Sequence, residues 1–331
     1  MGRTSTGWSR VTRGRCFVLL LALILPTTPF AYAKDTSVLS ELLSQKTRLM
    51  VFSPHPDDET LGAGGLIQRV LRLGGKVNVI FMTSGDGYPE GVEMEDHVTH
   101  PTAQDYRDYG TLRQTEALHV LATLGVKKSD SIFLGFPDGG LYSILSTYQS
   151  DKGPDYTSPF TLENRPPAGD TILPYTEYNG EDLKREIARV LMDFHPTVIV
   201  TVHRGDQHPD HCSTYFFVRE TLDELRVKTP AFQPQVLTFL IHFGQWPMNG
   251  GAGFGSRLSP PRGFAEKEDR WLSFPLAPGE VETKRRALLL YHSQMLIMGR
   301  YLLSFARANE LFLPEQESIE HDLQERPYCG K

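Results

Sequence analysis

Short apolar runs alternate along this chain with longer segments in which apolar residues recur at helical spacing. The pattern predicts strands over 48–53, 76–82, 131–135, 197–202 and 236–242, and helices over 61–73, 109–124, 182–194 and 209–225. Strands that alternate with helices are typical of a mainly parallel sheet covered by helices on both faces. We therefore predict one α/β domain over residues 34–331, with a Rossmann-like three-layer fold.

Two irregular stretches interrupt this alternation. Residues 142–179 are rich in Pro, Gly, Tyr and Thr, and residues 244–263 contain six glycines and three prolines. Such compositions predict loop insertions rather than strands or helices. The first loop carries six aromatic side chains that could stack on sugar rings, although packing within the loop is the simpler explanation.

The first 33 residues are predicted to be a secretory signal peptide. Four arginines precede an apolar run at 17–25, prolines follow it, and the small residues of Ala31-Tyr32-Ala33 suit a cleavage site. The apolar run of nine residues is too short for a membrane anchor, which needs roughly 20. We therefore expect an exported protein, periplasmic or extracellular, with no stable membrane span after cleavage.

Composition argues against nucleic acid as a partner and against a disulfide scaffold. Removal of residues 1–33 takes away four of the 34 basic residues and none of the 40 acidic ones, which leaves a formal net charge of −10. A chain this acidic is a poor partner for nucleic acid. Only Cys212 and Cys329 remain after cleavage, too few for a disulfide scaffold, and the sequence leaves open whether they pair.

Two clusters of metal-binding and acid–base residue types follow predicted strands. The pentad HPDDE lies at 55–59, after the first strand, and the tetrad HPDH lies at 208–211, after the fourth. The carboxyl ends of parallel strands form the edge of the sheet at which ligands bind. Together the clusters can hold a divalent metal and still leave a carboxylate and an imidazole for proton transfer. This is the residue inventory of a metallohydrolase, with its metal site at the carboxyl ends of the strands.

The two clusters resemble the motifs of the PIG-L/LmbE-like family of zinc-dependent de-N-acetylases. Further similarity lies in TSGDG at 83–87, RQTE at 113–116, GFPDG at 135–139 and a late helix over 284–294 that ends in YHSQ. The resemblance covers about residues 48–312. It implies a zinc-dependent hydrolase that removes acetyl or other N-acyl groups from an N-acetylglucosamine-type glycan, a glycoconjugate or a small amide conjugate. Fe²⁺ or Co²⁺ could occupy the same ligands.

The resemblance also implies roles for single residues. His55, Asp58 and His211 would bind the metal and leave a coordination position open for water, as catalytic zinc sites do. Asp57 would be the general base. His208 would donate a hydrogen bond or a proton to the carbonyl oxygen.

Three more residues have implied roles, two of them with simpler alternatives. Asp210 would orient the imidazole of His208, or else cap the helix that follows. Arg113 and Asp138 would bind sugar hydroxyls, although Arg113 could instead pair with Glu116 three residues later.

The chain departs from the family pattern just before the second cluster. Some relatives place a Tyr two residues ahead of it, where the Tyr helps to polarise the carbonyl, and this chain has Asp206 there. Arg204 or Tyr142 could supply the missing electrophile.

Other functions fit parts of the sequence. The GAGG stretch at 62–65 opens a helix after a strand, as a dinucleotide-binding loop does, but Ile67 stands in place of its third glycine. Two histidines and one carboxylate also describe non-haem iron oxygenases, whose sites usually lie on jelly-roll strands. The non-enzymatic alternative is a secreted glycan-binding protein of the same fold without turnover.

Overall fold

The computed structural model describes residues 1–2, 7, 34–35, 43–248, 253–264, 270–315 and 329. The arginines, the apolar run and the cleavage site of the predicted signal peptide lie outside these residues. The chain divides into two units, residues 1–31 and 32–331, and all of the secondary structure below belongs to the second. None of the helices in the described ranges is both long enough and apolar enough to cross a membrane.

The second unit is built from alternating strands and helices. The strands are β1 (Lys34–Asp35), β2 (Arg48–Ser53), β3 (Lys76–Thr83), β4 (Ser131–Phe136), β5 (Val198–Val202), β6 (Gln235–Phe239), β7 (Leu272–Pro275) and β8 (Asn309–Pro314). The α-helices are α1 (Asp58–Arg72), α2 (Pro89–Asp96), α3 (Ala103–Leu124), α4 (Leu141–Ser146), α5 (Gly180–Phe194), α6 (Pro209–Lys228), α7 (Pro278–Leu288) and α8 (His292–Leu303).

The strands form one sheet in the order β1-β7-β8-β6-β5-β2-β3-β4. Strands β2 to β6 pair in parallel, and β8 runs antiparallel to both of its neighbours, β6 and β7. The central strands are apolar along nearly their whole length, because a parallel sheet is covered on both faces. The predicted α/β fold with a mainly parallel sheet is confirmed.

The core consists of two apolar layers, one on each face of the sheet. In β2, Leu49 and Val51 point into the layer covered by α1, α3, α7 and α8, and Met50 and Phe52 point into the layer covered by α4, α5 and α6. This division follows from the two-residue period of a strand. The sheet and its two helical layers are the three layers that the sequence predicts.

Two helices begin before the apolar pattern that predicted them. Helix α1 begins at Asp58 rather than at 61, and α3 begins at Ala103 rather than at 109. The extra turn of α3 is polar, with Thr102 as its cap and a capping box that includes Asp105. Apolar periodicity marks only the buried part of a helix, so it misses a polar first turn.

Strand β6 ends at Phe239, three residues before its predicted end at 242. The backbone N–H groups of Ile241 and His242 donate to the carboxylate of Asp206 at 2.9 Å each, rather than to a neighbouring strand. The chain therefore leaves the sheet here and approaches the loop after β5. The late helix predicted over 284–294 is also interrupted, because α7 ends at Leu288 and α8 begins at His292.

The two predicted loops are largely irregular. Residues 142–179 overlap α4 at their start, which corrects the prediction there, and residues 244–248 and 253–263 contain no α-helix and no strand. Within the first loop Tyr178 is buried and donates to the carbonyl of Gly135 at 2.9 Å. The cysteine pairing that the sequence left open is present: Cys212 in α6 forms a disulfide with Cys329.

Candidate metal centre

Strands β2 and β5 are neighbours in the middle of the sheet, and this brings the two His-rich clusters together. The HPDDE loop follows β2, and the HPDH cluster begins α6 a few residues after β5. Parallel neighbours end at the same edge of the sheet. The clusters, separated by about 150 residues of sequence, therefore meet at that edge.

The three predicted ligands converge on one point. His55 Nδ1 lies 3.2 Å from Asp58 Oδ2, His211 Nε2 lies 3.1 Å from the same oxygen, and the two nitrogens are 3.2 Å apart. Ligand atoms bound at about 2.0–2.1 Å in tetrahedral positions around an ion lie roughly 3.3 Å from one another. The three side chains are buried. Their spacing and their nitrogen and oxygen donors fit a divalent ion such as zinc.

Carboxylates surround the outer nitrogens of both imidazoles. Asp206 Oδ2 lies 3.3 Å from His211 Nδ1, and Asp138 Oδ1 lies 3.0 Å from His55 Nε2. Burial alone lowers the pKa of His211, but the charges of Asp206 and Asp58 outweigh it and raise that pKa to about 9. The surroundings therefore stabilise positive charge at this point, as a second layer of acceptors does around metal-binding histidines.

Asp57 lies beside the three ligand atoms without being one of them. Its carboxylate is buried, and Arg113 Nη2 lies 3.3 Å from its Oδ2. Burial raises the pKa of Asp57 to about 8, with a further rise from the charge of Asp58 and an opposing effect of Arg113. A carboxylate with such a pKa is suited to accept a proton near neutral pH.

The backbone at Asp57 is unusual. Its φ of 130° lies in a region that residues other than glycine rarely adopt. The N–H of Asp57 donates to Glu59 Oε2 at 3.1 Å, and Tyr291 OH donates to Glu59 Oε1 at 2.5 Å. A buried contact from the start of α8 thus supports the strained loop that presents Asp57.

His208 is the cap residue of α6. Its Nδ1 accepts a hydrogen bond from the backbone N–H of Asp210 at 3.2 Å. Burial and the neighbouring His55 and His211 lower the pKa of His208, which favours the neutral ring. With Nδ1 acting as acceptor, the proton of the neutral ring is on Nε2, which can donate to a ligand.

The predicted orientation of His208 by the Asp210 carboxylate is wrong, and so is the alternative in which Asp210 caps α6. The carboxylate accepts from the N–H groups of Gly139 and Leu141 at 2.6 and 3.1 Å and lies 3.4 Å from His55 Nε2. Asp210 is the second residue of the helix, and its side chain turns toward the loop after β4. The backbone of Asp210, rather than its side chain, holds His208.

The partners of Arg113 do not include Glu116, which the sequence offered as an alternative. Its guanidinium donates to the carbonyls of Pro56 and Gly85 at 2.7 and 3.1 Å, in addition to its contact with Asp57. Glu116 does not pair with it, because the Glu116 carboxylate accepts from the N–H and hydroxyl of Ser293 at 2.9 and 2.6 Å. Arg113 therefore holds the HPDDE loop.

A cavity of about 280 Å³ opens above these residues. The site residues predicted from the sequence that line it are His55, Asp57, Asp58, His208, Arg113 and Asp138. Asp138 also accepts from the N–H of Gly87 at 3.0 Å. The contacts of Arg113 and Asp138 with sugar hydroxyls remain a prediction.

The lining also includes residues that the sequence analysis did not assign to the site, among them His242, Gln294, Met298 and Tyr301. His242 follows β6, so the strand-end argument used for the two clusters could have found it. The other three lie on α8. Gln294 belongs to the YHSQ motif, whereas nothing in the linear sequence places Met298 and Tyr301 over the site. Of the described residues, neither Arg204 nor Tyr142 lines the cavity, and a role of either as the missing electrophile stays a prediction.

Comparison with known proteins agrees with this site. The family described as PIG-L: GlcNAc-PI de-N-acetylase matches residues 50–222. The 1D-myo-inositol 2-acetamido-2-deoxy-alpha-D-glucopyranoside deacetylase of Mycobacterium sp. (strain KMS) is 25% identical over 248 residues, which are 73% of this chain and 66% of the relative. The deacetylase of the same name from Kineococcus radiotolerans is 30% identical over 175 residues, 52% of this chain and 43% of that relative. The chain thus spans about two thirds or less of the length of these two relatives.

A solved structure shows the same fold. The zinc inhibited form of teicoplanin deacetylase Orf2 superposes with a TM-score of 0.51 at 19% identity, covering 83% of this chain and 100% of that one. The family match covers more than half of the chain and includes both clusters that form the candidate metal centre. The chain therefore belongs to the PIG-L family of GlcNAc-PI de-N-acetylase relatives, as its motifs predict.

Proposed function

We propose that this protein is a metal-dependent N-deacetylase that hydrolyses the acetamido group of an N-acetylglucosamine-type glycan or glycoconjugate. The observation that carries the proposal is the triad of His55, Asp58 and His211, whose donor atoms are 3.1–3.2 Å apart, with the buried carboxylate of Asp57 free beside it. Membership of the PIG-L family and the deacetylase names of the relatives support it.

The proposed role of each site residue follows from its contacts. A divalent ion held by the triad supplies Lewis-acid chemistry, which acidifies water and stabilises negative charge on a carbonyl oxygen. Asp57, held by Arg113, accepts the proton of the attacking water. His208 donates from Nε2 to the carbonyl oxygen as negative charge develops there. The C–N bond then breaks, and the proton held by Asp57 passes to the leaving amine.

The finer parts of the proposal concern metal, substrate and location. Zinc is the proposed ion, and Fe²⁺ and Co²⁺ suit the same donors. Arg113 and Asp138 are proposed to contact sugar hydroxyls, since a guanidinium and a carboxylate are a matched donor and acceptor for them. The N-terminal signal features support action outside the cytoplasm, in the periplasm or the medium.

Amine release tests the proposal. Chelated protein is reloaded with zinc, Fe²⁺ or Co²⁺ and given N-acetylglucosamine and chito-oligosaccharides, with Asp57→Asn in parallel. We expect metal-dependent release that falls by about 10²–10⁴-fold in the variant, because the general base is lost. The variant should retain its metal, since Asp57 is not one of the three ligands.

Two results would contradict the proposal. Equal rates for wild type and Asp57→Asn would exclude the carboxylate as base. A folded, metal-loaded protein that binds the sugars without releasing amine would favour the glycan-binding alternative.

A further inference from the structure

We infer that one end of the active-site cavity, formed by Leu61, Ile241, Met298 and Tyr301, binds the acyl chain of the substrate and admits linear acyl groups longer than acetyl. We name this surface the apolar end. The inference rests on the proposed N-deacetylase function and specifies the substrate class of the same site.

The order of the strands separates the two ends of the cavity. The metal ligands follow β5 and β2, at the centre of the parallel part of the sheet, whose order is β6-β5-β2-β3-β4. Ile241 follows β6 on one side of them, and Gly87 and Asp138 follow β3 and β4 on the other. The cavity therefore extends to both sides of the candidate metal centre along the edge of the sheet.

The side beyond β3 and β4 is polar. Asp138, Arg113 and Tyr88 line it, and the backbone of Gly87 and Gly139 comes to its surface. These groups can donate to and accept from hydroxyls, which suits the sugar.

The side beyond β6 is apolar. Tyr301 OH donates to the carbonyl of Ile241 at 2.7 Å, which uses the hydroxyl and leaves the ring to line the cavity. The ring of Tyr301 stacks on that of His242, with centroids 5.8 Å apart and planes at 17°. Leu61, one turn along α1 from Asp57, completes this wall. Apart from the imidazole of His242, the surface that a ligand meets here is therefore apolar carbon.

Helix α8 connects the two ends. Gln294, Met298 and Tyr301 all line the cavity from α8, which is kinked at Met298, where φ is −124° and ψ is 26°. Gln294 donates to Tyr109 OH of α3 at 2.8 Å, whereas Tyr301 contacts the segment after β6. Along α8 from Gln294 to Tyr301 the lining therefore changes from amide to thioether and aromatic ring.

The geometry of an amide indicates which end of the cavity receives the sugar and which receives the acyl group. In a planar trans amide, the groups on the carbonyl carbon and on the nitrogen point in opposite directions. With the carbonyl at the centre of the cavity and the sugar amine toward Asp138 and Arg113, the acyl group points toward Met298 and Tyr301. The acyl chain then has apolar partners beyond its first methyl group.

The test compares N-acetyl-, N-butanoyl- and N-hexanoyl-glucosamine as substrates of the zinc-loaded full-length protein. Burial of one methylene group corresponds to about a fourfold gain in kcat/KM. We expect kcat/KM for the butanoyl and hexanoyl compounds to exceed that for the acetyl compound. A lower value for the butanoyl compound than for the acetyl compound overturns the inference and leaves the deacetylase proposal intact. Release from none of the three contradicts both.

Two variants of α8 test whether the apolar end is the part of the cavity that favours longer acyl groups. Met298→Gln places a polar amide of similar length in the apolar end, and we expect the ratio of hexanoyl to acetyl kcat/KM to fall at least about tenfold. Leu296→Gln is the matched control, since Leu296 is 59% exposed on α8, and its ratio should equal that of the wild type. An unchanged ratio in Met298→Gln overturns the assignment of this end to the acyl chain.

Discussion

Asp206 makes contacts that its position in the family pattern does not predict. It stands where some relatives carry a Tyr, yet it lies behind the candidate metal centre, 3.3 Å from His211 Nδ1. It also accepts from the N–H groups of His208, Ile241 and His242. Nearby His211 and His242 outweigh the effect of burial and hold the pKa of Asp206 below its usual range, so Asp206 is a fixed negative charge.

Asp206→Asn should therefore weaken metal binding. Neutralising a carboxylate behind a metal-binding histidine typically costs 10–100-fold in metal affinity. The dissociation constant for zinc, measured by competition with a chelating dye, should rise by about that factor, while the single amide oxygen can still accept from the N–H groups of Ile241 and His242. Asp193→Asn, at an exposed position on α5, is the matched control and should have no effect. Unchanged affinity in Asp206→Asn would contradict the assigned role.

At the scale of single elements, helix α1 explains the glycine-rich stretch that resembles a dinucleotide loop. A Cβ atom at Gly62 would overlap the ring of Phe239, and one at Gly65 would overlap Leu276. The glycines thus permit close packing of α1 against β6 and the segment after β7. They serve the fold, and the first turn of α1 is acidic, with Asp58 and Glu59, which disfavours a phosphate there.

A buried ion pair is bonded directly to the backbone of α1. Lys284 and Glu310 are 1% and 2% exposed, and Lys284 Nζ lies 2.8 Å from Glu310 Oε1. Glu310 accepts from the N–H groups of Gly65 and Leu66 at 2.7 and 2.9 Å, and Lys284 donates to the carbonyl of Leu61 at 2.8 Å. The pair thus ties α7 and β8 to the helix that begins with Asp58, a proposed metal ligand.

Removal of one partner should destabilise the protein strongly. Lys284→Met leaves the charge of Glu310 buried without its partner, which costs about 3–5 kcal/mol of the free energy of unfolding. Lys284→Met combined with Glu310→Gln should lose less, because no unpaired charge remains. Urea unfolding measures both. The exposed Lys152→Met is the control and should change the free energy by less than about 0.5 kcal/mol. A double variant as unstable as Lys284→Met would contradict this account.

For the molecule as a whole, the disulfide joins distant parts of the chain. Cys212 directly follows His211, a proposed metal ligand, and Cys329 lies 117 residues later. A bond that closes so long a loop restricts the unfolded chain, and native disulfides typically contribute about 2–4 kcal/mol to stability. The pairing is compatible with the proposed export, because disulfides persist in oxidising compartments.

Reduction or the double change Cys212→Ser and Cys329→Ser should therefore lower the free energy of unfolding by about 2–4 kcal/mol. Chemical denaturation with and without a reductant measures the effect. The Ser variant should be insensitive to the reductant, which makes it the control. Wild type that is equally stable in both conditions would contradict a stabilising role for the bond.

The sequence alone determined the α/β fold, the central strands and the position of the two His-rich clusters at the edge of the sheet, because each depends on a local pattern. Alternation of apolar runs specifies strands and helices, and a motif after a strand must lie at the carboxyl edge of a parallel sheet. The three proposed metal ligands belong to two such motifs, at 55–59 and 208–211, after strands that turn out to be neighbours.

Only the tertiary structure decided which groups surround those ligands. The side chain of Asp210 turns to the loop after β4, Asp206 reaches His211, and α8 places Met298 and Tyr301 over the cavity. Some of these contacts join residues that are far apart in the chain. Others involve residues of one short segment whose side chains point in different directions. The period of a helix or strand sets the direction of a side chain relative to its own element, whereas the neighbour it meets depends on how the elements pack.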